Sequence, residues 1–409
     1  MARPPAGRIA TLDFIRGIAI LGILAVNIAG FAGPIAASIT PHWNGPASWG
    51  DQLAFAAVLV LFEGKMRALL SLLFGAAMLL FLEAAQAKGR NGPALQMRRL
   101  SWLLVIGYLH FAVLWWGDIL FTYAFAGFFA LVLRHLPTKS LIPAALLAFG
   151  SLHAAGMIAS IDPVLAESRF EAGMSVPAER AALLAERQDA ARDTAAEVAR
   201  EKGGYKALVH HKLTEDAGLP LTIALNSIGE TLPLMLLGMA LFRSGFFTGG
   251  WSRRRLVVMA VCGIGIGGLM TLGLTGLAWS QGFPPTLTSA MLAFWLAVPH
   301  LAMALGYSAA LVLFCQRSFD GRLAQAISTA GRMALSNYLL CSLVMTGLFY
   351  GWGLNLMGAM PERWFWAFII GGWVMMLLFS RWWLGRYSQG PVEYLWRSLT
   401  EWRLGAFKL

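Results

Sequence analysis

Few ionisable side chains stand inside the apolar stretches of this 409-residue chain. A charge in hydrocarbon is costly and needs a partner or a wet cavity, so each is a candidate functional residue. They are Asp13, Arg16, Glu63, Lys65, Arg67, His110, Asp118, Glu230 and His300, with Asn27 as a polar companion. Asp13 and Arg16 stand three apart, share a helix face and can form an ion pair. Asn27 comes eleven residues after Arg16, about three turns and ~16 Å along the same face. It reads either as interhelical glue or as a hydrogen-bond donor in a reaction or transport cavity. His110 reads either as a neutral core histidine or as a general base with a tunable proton. Asp118 lies eight residues later. That is about 12 Å along a helix and roughly 80° off-face, so on one straight helix the two cannot bond.

Three charges crowd one apolar boundary in Phe62-Glu63-Gly64-Lys65-Met66-Arg67. Lys65 and Arg67 either pair with Glu63 or face an anion in a cavity. His42 precedes Trp43-Asn44-Gly45 in the first polar connection, and His210-His211 lies in a charged loop with nothing nearby to complete a metal site. Gly263, Gly265 and Gly268 match a dinucleotide fingerprint by spacing, but no strand precedes them. Close helix packing by small residues explains them better. Cys262, Cys315 and Cys341 lie in apolar runs with no disulfide or zinc spacing, and read as buried, inert thiols. No metal site is expected.

The elements that must position these residues follow from composition. Hydrophobic residues make up 58% of the chain and charged residues 13%, against about a quarter charged in soluble domains. That excludes a disordered chain and points to an all-α, polytopic transmembrane bundle forming one domain over residues 1–409. Ten apolar segments stand out: about 12–33, 66–84, 100–117, 119–134, 140–160, 220–242, 256–278, 290–315, 333–351 and 364–380. Arg3 and Arg8 resemble the start of a signal peptide, but Asp13, Arg16 and Asn27 interrupt the apolar run behind them. Alternate connections hold Lys88, Arg90, Arg98 and Arg99, then Arg134 and Lys139, then Arg243 and Arg253 to Arg255, then Arg317, Arg322 and Arg332. The tail adds Arg381, Arg386, Arg397, Arg403 and Lys408. This bias puts both termini in the cytoplasm. The net charge of +11 is then a topology signal, and no nucleic acid is expected.

The connection 161–219 breaks the pattern with eight basic and eleven acidic residues. Its Ala-rich middle, about 178–202, predicts a helix stopped by Gly203-Gly204, with Asp189–Arg192 and Glu197–Arg200 as surface pairs. This outer helical loop between spans five and six reads as a solvated cap, or as a lid or partner surface. Segment 48–63 holds only about eleven apolar residues between Asp51 and Glu63, which suggests an interfacial or re-entrant helix. Trp43 and Trp49 are expected at headgroup level. There is no convincing internal repeat.

The run Thr11-Leu12-Asp13-Phe14-Ile15-Arg16-Gly17, continuing to Asn27, resembles the YeiB-like bacterial inner-membrane proteins, domain of unknown function 418. Further matching blocks are Gly64-Lys65 to Leu73-Phe74-Gly75, and His110 with Gly117-Asp118-Ile119-Leu120 and Tyr123. Gly331-Arg332-Met333-Ala334-Leu335-Ser336-Asn337-Tyr338 and Gln389-Gly390-Pro391-Val392-Glu393 to Arg397 complete the set. The first span also resembles that of transmembrane acyltransferases. Acyltransferase family three has a catalytic His where Asn27 stands. The heparan-alpha-glucosaminide acetyltransferase family has Asn there and a His shortly before Trp-Asn-Gly, a loose match to His42. The resemblance implies acyl-CoA or acetyl-CoA as co-substrate and an extracytoplasmic acceptor such as a glycan. By the resemblance His42 would be the general base, with Asn27 at the acyl carbonyl; His110 and Asp118 stand beside them as further catalytic candidates. Arg16, Arg98, Arg99 and Arg332, with Lys65 and Arg67, would bind the cofactor. The bilayer is the other partner, and assembly as a homo-oligomer stays open. A transporter or exporter using the same polar cavity, and a membrane scaffold or sensor, are the other readings.

Overall fold

A computed structural model describes residues 9–318 and 321–403. Arg3, Arg8 and Lys408 lie outside the described residues. The described chain is all-helical. In order come α1 (Ala10–Ala32), α2 (Trp49–Leu61), α3 (Lys65–Gln86), α4 (Gly92–Val113), α5 (Leu120–Leu133) and α6 (Thr138–Ala159). Then come α7 (Ile161–Glu171), α8 (Pro177–Glu201), α9 (Tyr205–Thr214), α10 (Leu219–Arg243), α11 (Arg253–Ser280) and α12 (Pro285–Ala290). A π-helical turn, Met291–Trp295, leads into α13 (Ala297–Ser318). The chain closes with α14 (Arg322–Arg332), α15 (Ala334–Phe349), α16 (Phe365–Leu384) and α17 (Pro391–Glu401).

Among the described residues seven helices are long and apolar enough to cross a membrane, and α14 with α15, bent by 84°, would make an eighth. All ten expected segments are helical. Two of them differ from simple spans: α4 carries Arg98 and Arg99 in its first two turns, and α5 has only 14 residues. The segment 48–63 differs too. It is the well-formed helix α2, capped by Ser48 and Asp51, and it continues through Phe62–Gly64 into α3 as one 38-residue apolar stretch.

The bundle is built around α1. Of its span 72% is buried, against 17% for α11. Helix α1 packs on α3, α13, α14, α15 and α16, while α10 packs on α3, α5 and α6. Small residues set the closest crossings, since without a Cβ two backbones can touch. A Cβ on Gly17 of α1 would stand 2.1 Å from the Ile327 carbonyl oxygen of α14, and one on Gly331 would stand 1.8 Å from that of Asp13. Gly75 and Gly238 cross α3 with α10 in the same way. In α11, Gly263 and Gly267 meet α13, whereas Gly265 and Gly268 face open space. Only part of the glycine pattern is therefore a packing seam. Cys262 is exposed on α11, contrary to the expectation of a buried thiol, while Cys341 is buried and Cys315 half-buried.

The two ends of the bundle differ. The start of α1, α14 and α17 gather at one end, here called the terminal end. At the other end α7, α8 and α9 form a helical cap. The helix expected at 178–202 is α8. Asp189 and Arg192 do pair, at 3.2 Å. Glu197 does not pair with Arg200; it accepts from the Ile35 amide at 3.1 Å, tying the cap to the end of α1. Asp13 and Arg16 form the expected ion pair at 3.1 Å.

Candidate functional site

His110 and Asp118 bond directly: Nδ1 and Oδ1 are 2.9 Å apart. This corrects the straight-helix expectation. Helix α4 stops at Val113, both Leu114 and Trp115 donate their amides back to the His110 carbonyl, and the chain reverses before α5. The reversal carries Asp118 back beside the last turn of α4. Its second oxygen then accepts from the Phe121 amide at 2.6 Å, satisfying an orphan donor at the start of α5. Gly107 makes room, since a Cβ there would stand 2.3 Å from the Phe121 nitrogen. Trp115 pins the reversal to α1 through its indole bond to the Gly30 carbonyl at 3.0 Å. Tyr338 of α15 pins it from the other side, donating to the Gly117 carbonyl at 3.1 Å.

The pair is enclosed: His110 is 2% exposed and Asp118 7%. Asp118 holds Nδ1, which leaves the lone pair on Nε2, and Nε2 has no partner. A carboxylate orienting one imidazole nitrogen while the other is free is the arrangement of a general base. The His110 ring packs on Tyr338, centroids 4.9 Å apart. Tyr338 in turn lines two cavities. One, about 10 Å³, it shares with Asn27, Phe31 and Ser342. The other, about 210 Å³, opens toward the terminal end and is lined by Arg16, Arg99 and Arg332 among apolar side chains. Tyr338 thus links the His110 ring to both cavities, one holding Asn27 and the other three of the expected arginines, while His110 and Asp118 themselves line neither.

The arginines are held in place. The Arg99 guanidinium lies between the rings of Phe81, at 4.7 Å, and Trp396, at 4.2 Å. Arg332 donates to the Ser388 carbonyl at 3.1 Å. Glu393 of α17 caps the start of α15, accepting from the Leu335 amide at 2.9 Å, the Ser336 amide at 3.1 Å and the Ser336 hydroxyl. A further cavity of about 340 Å³ lies between α3, α4 and α17, and shares Arg99, Glu393 and Trp396 with the first.

Four expected site residues stand elsewhere. Arg98 is exposed and lies over Trp402, 5.7 Å from its centroid. His42 accepts from the Ala47 amide at 3.0 Å, inside its own loop. Lys65 is fully buried and donates to the Leu59 carbonyl at 2.6 Å. Arg67 pairs with Glu230 at 3.2 Å, not with Glu63. With His300 and His153, Arg67 and Glu230 line a space of about 10 Å³ beside the π-helical turn, room for about one water. Among the described residues no group of three or more His, Cys, Asp or Glu can hold a metal ion. Sequence reasoning missed Tyr338, Glu393 and Trp396 as site residues, although each lies in a block that carried the family resemblance.

The cap covers the far side of the pair. Tyr205 donates to the Val113 carbonyl at 3.0 Å and Lys212 to that of Leu114 at 3.4 Å, over the end of α4. The Tyr350 hydroxyl donates to Glu201 at 2.8 Å. Burial pushes the Glu201 carboxyl up to about 8, and nearby Glu197 adds to the rise. Burial pulls the Lys212 ammonium down to about 8, opposed by Glu201 and Asp216.

Fold and site together define a multi-pass helical membrane protein with a buried His–Asp pair above an arginine-lined cavity. The family model for the protein of unknown function DUF418 matches residues 241–403. The chain is 32% identical over 400 residues to the uncharacterized protein YeiB of Escherichia coli (strain K12), covering 96% of each. It is 29% identical over 406 residues to the uncharacterized protein YxaH of Bacillus subtilis (strain 168), covering 96% of this chain and 94% of that one. The chain belongs to the YeiB-like DUF418 family. No solved structure matches it.

Proposed function

We propose that this protein is a bacterial inner-membrane acyltransferase with the terminal end in the cytoplasm. It moves an acyl group from acyl-CoA to an outer-face glycan or similar acceptor. The observation that carries the reading is the enclosed His110–Asp118 pair with Nε2 unpartnered. The arginine-lined cavity below it supports an anionic donor. In the reaction, His110 Nε2 takes the proton of the acceptor hydroxyl or amine, and the acceptor's lone pair forms a bond to the thioester carbonyl carbon. The Asn27 amide donates to the oxygen that gains charge. The C–S bond then breaks, and the leaving thiolate recovers the proton from His110. Asp118 keeps the imidazole oriented throughout. The test is thiol release from acetyl-CoA by the purified chain in neutral-lipid nanodiscs, with and without a membrane glycan fraction. A chain that neither binds nor cleaves any acyl-CoA rejects the reading.

A transporter reading rests on a different observation, the buried Lys65 beside the half-buried Arg67–Glu230 ion pair. Solute movement in liposomes without acyl-CoA would favour it. A scaffold reading rests on the cap. It predicts that deleting residues 161–219 abolishes function while Asn27→Ala does not.

A further inference from the structure

The two cavities at the terminal end meet along Arg99, Glu393 and Trp396. The upper one holds about 210 Å³, is mostly apolar and reaches Tyr338. The lower one lies at the rim, holds about 340 Å³ and is lined by Lys88, Arg90, Arg99 and Arg397 against Glu393 and Glu401. Arg90 and Arg397 both reach Glu401, at 3.3 and 3.4 Å, so one carboxylate serves two cations. Glu393 is committed to the start of α15. Arg99, flanked by two aromatic rings, makes no ion pair among the described residues. Four cations against two carboxylates leave the lower cavity with a net charge of +2. Such a cavity selects a ligand with several anionic oxygens, which Arg and Lys bind by charge-assisted hydrogen bonds.

We propose that the lower cavity is a head-group site for a nucleotide carrying more than one phosphate, and that the upper cavity takes the thin arm attached to it. Lys88, Arg90 and Arg397 hold the phosphates, and Arg99 marks the junction of head and arm. This inference rests on the donor reading above and specifies it: the donor is a free coenzyme-A thioester, not a pantetheine arm borne by a carrier protein. A carrier-bound arm brings a single phosphate and would leave the lower cavity without a role.

The test uses the full chain in phosphatidylcholine nanodiscs and isothermal titration with three probes: coenzyme A, adenosine 3′,5′-bisphosphate as head alone, and pantetheine as arm alone. Coenzyme A and the bisphosphate bind, and pantetheine binds at least tenfold more weakly than coenzyme A. The double charge swap Lys88→Glu with Arg397→Glu, both on exposed side chains, weakens coenzyme A and the bisphosphate at least tenfold without moving the unfolding midpoint. If coenzyme A binds but the bisphosphate does not, or the swap leaves coenzyme A unchanged, the head-group site is overturned and the donor reading stands. If no probe binds and no thioester is cleaved, both fall. If the bisphosphate fails while cardiolipin raises the unfolding midpoint in a Lys88- and Arg397-dependent way, the site belongs to a lipid headgroup and the nucleotide assignment is overturned.

Discussion

At the residue scale the protein turns on where one proton can go. His110 has one nitrogen fixed by Asp118 and the other buried without a hydrogen-bond partner. His110→Gln keeps size and hydrogen bonding but removes the base, so thiol release from acyl-CoA should fall about 10²–10⁴-fold, with coenzyme A binding by calorimetry unchanged. Asp118→Asn should lower the rate by a similar factor, because an amide can donate to Nδ1 and so favour the wrong tautomer. A variant of either kind with full activity would remove His110 from the reaction. His110 and Asp118 were each legible in the sequence as costly polar groups among apolar ones. Their bond was not. Helical geometry forbids it at a separation of eight, and nothing between them, in Phe-Ala-Val-Leu-Trp-Trp-Gly, marks where the helix stops except the final Gly117. Tertiary anchors decide the matter: Trp115 on Gly30 and Tyr338 on Gly117. His42, suggested by resemblance, accepts from the Ala47 amide at Nδ1 inside its own loop, while its Nε2, like that of His110, is buried without a partner.

At the element scale, helix contacts follow small residues, and this can be measured. Gly331→Ala places a methyl 1.8 Å from the Asp13 carbonyl oxygen. The strain should cost about 1–3 kcal/mol and lower the unfolding midpoint in detergent. Gly265→Ala, facing open space, should leave the midpoint unchanged. The cap offers a pH test. Glu201 rises to about 8 on burial, so between its ordinary range and pH 8 the docked cap holds a proton that the undocked cap releases. Docking is therefore strongest in acid and weakens as pH rises toward 8. Lys212 falls to about 8, so above pH 8 the docked cap holds fewer protons than the undocked one and docking strengthens again. Amide protection in α8 and α9, taken relative to the intrinsic base-catalysed exchange rate at each pH, should be weakest near pH 8, and Glu201→Gln should flatten the acid limb. Protection factors that do not vary from pH 5 to 8 would reject the assignment. The helices themselves were legible because apolar runs and charged connections alternate so cleanly. The 84° bend between α14 and α15 was not, because it is made at Met333 by tertiary bonds, with Asn337 reaching the Ala330 carbonyl and Glu393 capping the next helix.

At the scale of the whole molecule the charges describe a side. Lys88, Arg90, Arg99 and Arg397 gather at the terminal end, while the cap at the other end carries the acidic excess. After replacing Cys262 and Cys315 with Ser, a cysteine at Arg90 should react with an impermeant maleimide only in inside-out vesicles. A cysteine at Asp189 in α8 should react only from outside intact cells. Labelling of both positions from one side would overturn the orientation. The positive-inside count predicts this orientation from sequence alone, since it needs only the order of charges along the chain. The two joined cavities lay beyond it, because their walls bring α1, α3, α4, α14 and α17 together from distant parts of the sequence.

The central place of α1 has a consequence in time. It comes first among the described helices, yet α14, against which Gly17 and Asp13 close, begins about 300 residues later. At about 5–20 residues per second, synthesis alone separates them by roughly 15–60 s. For that interval a helix with an acidic and a basic residue near its start has only early partners such as α3. A nascent chain halted before α14 should therefore be degraded faster than one halted after α16, and pulse-chase measurement of the two would show it.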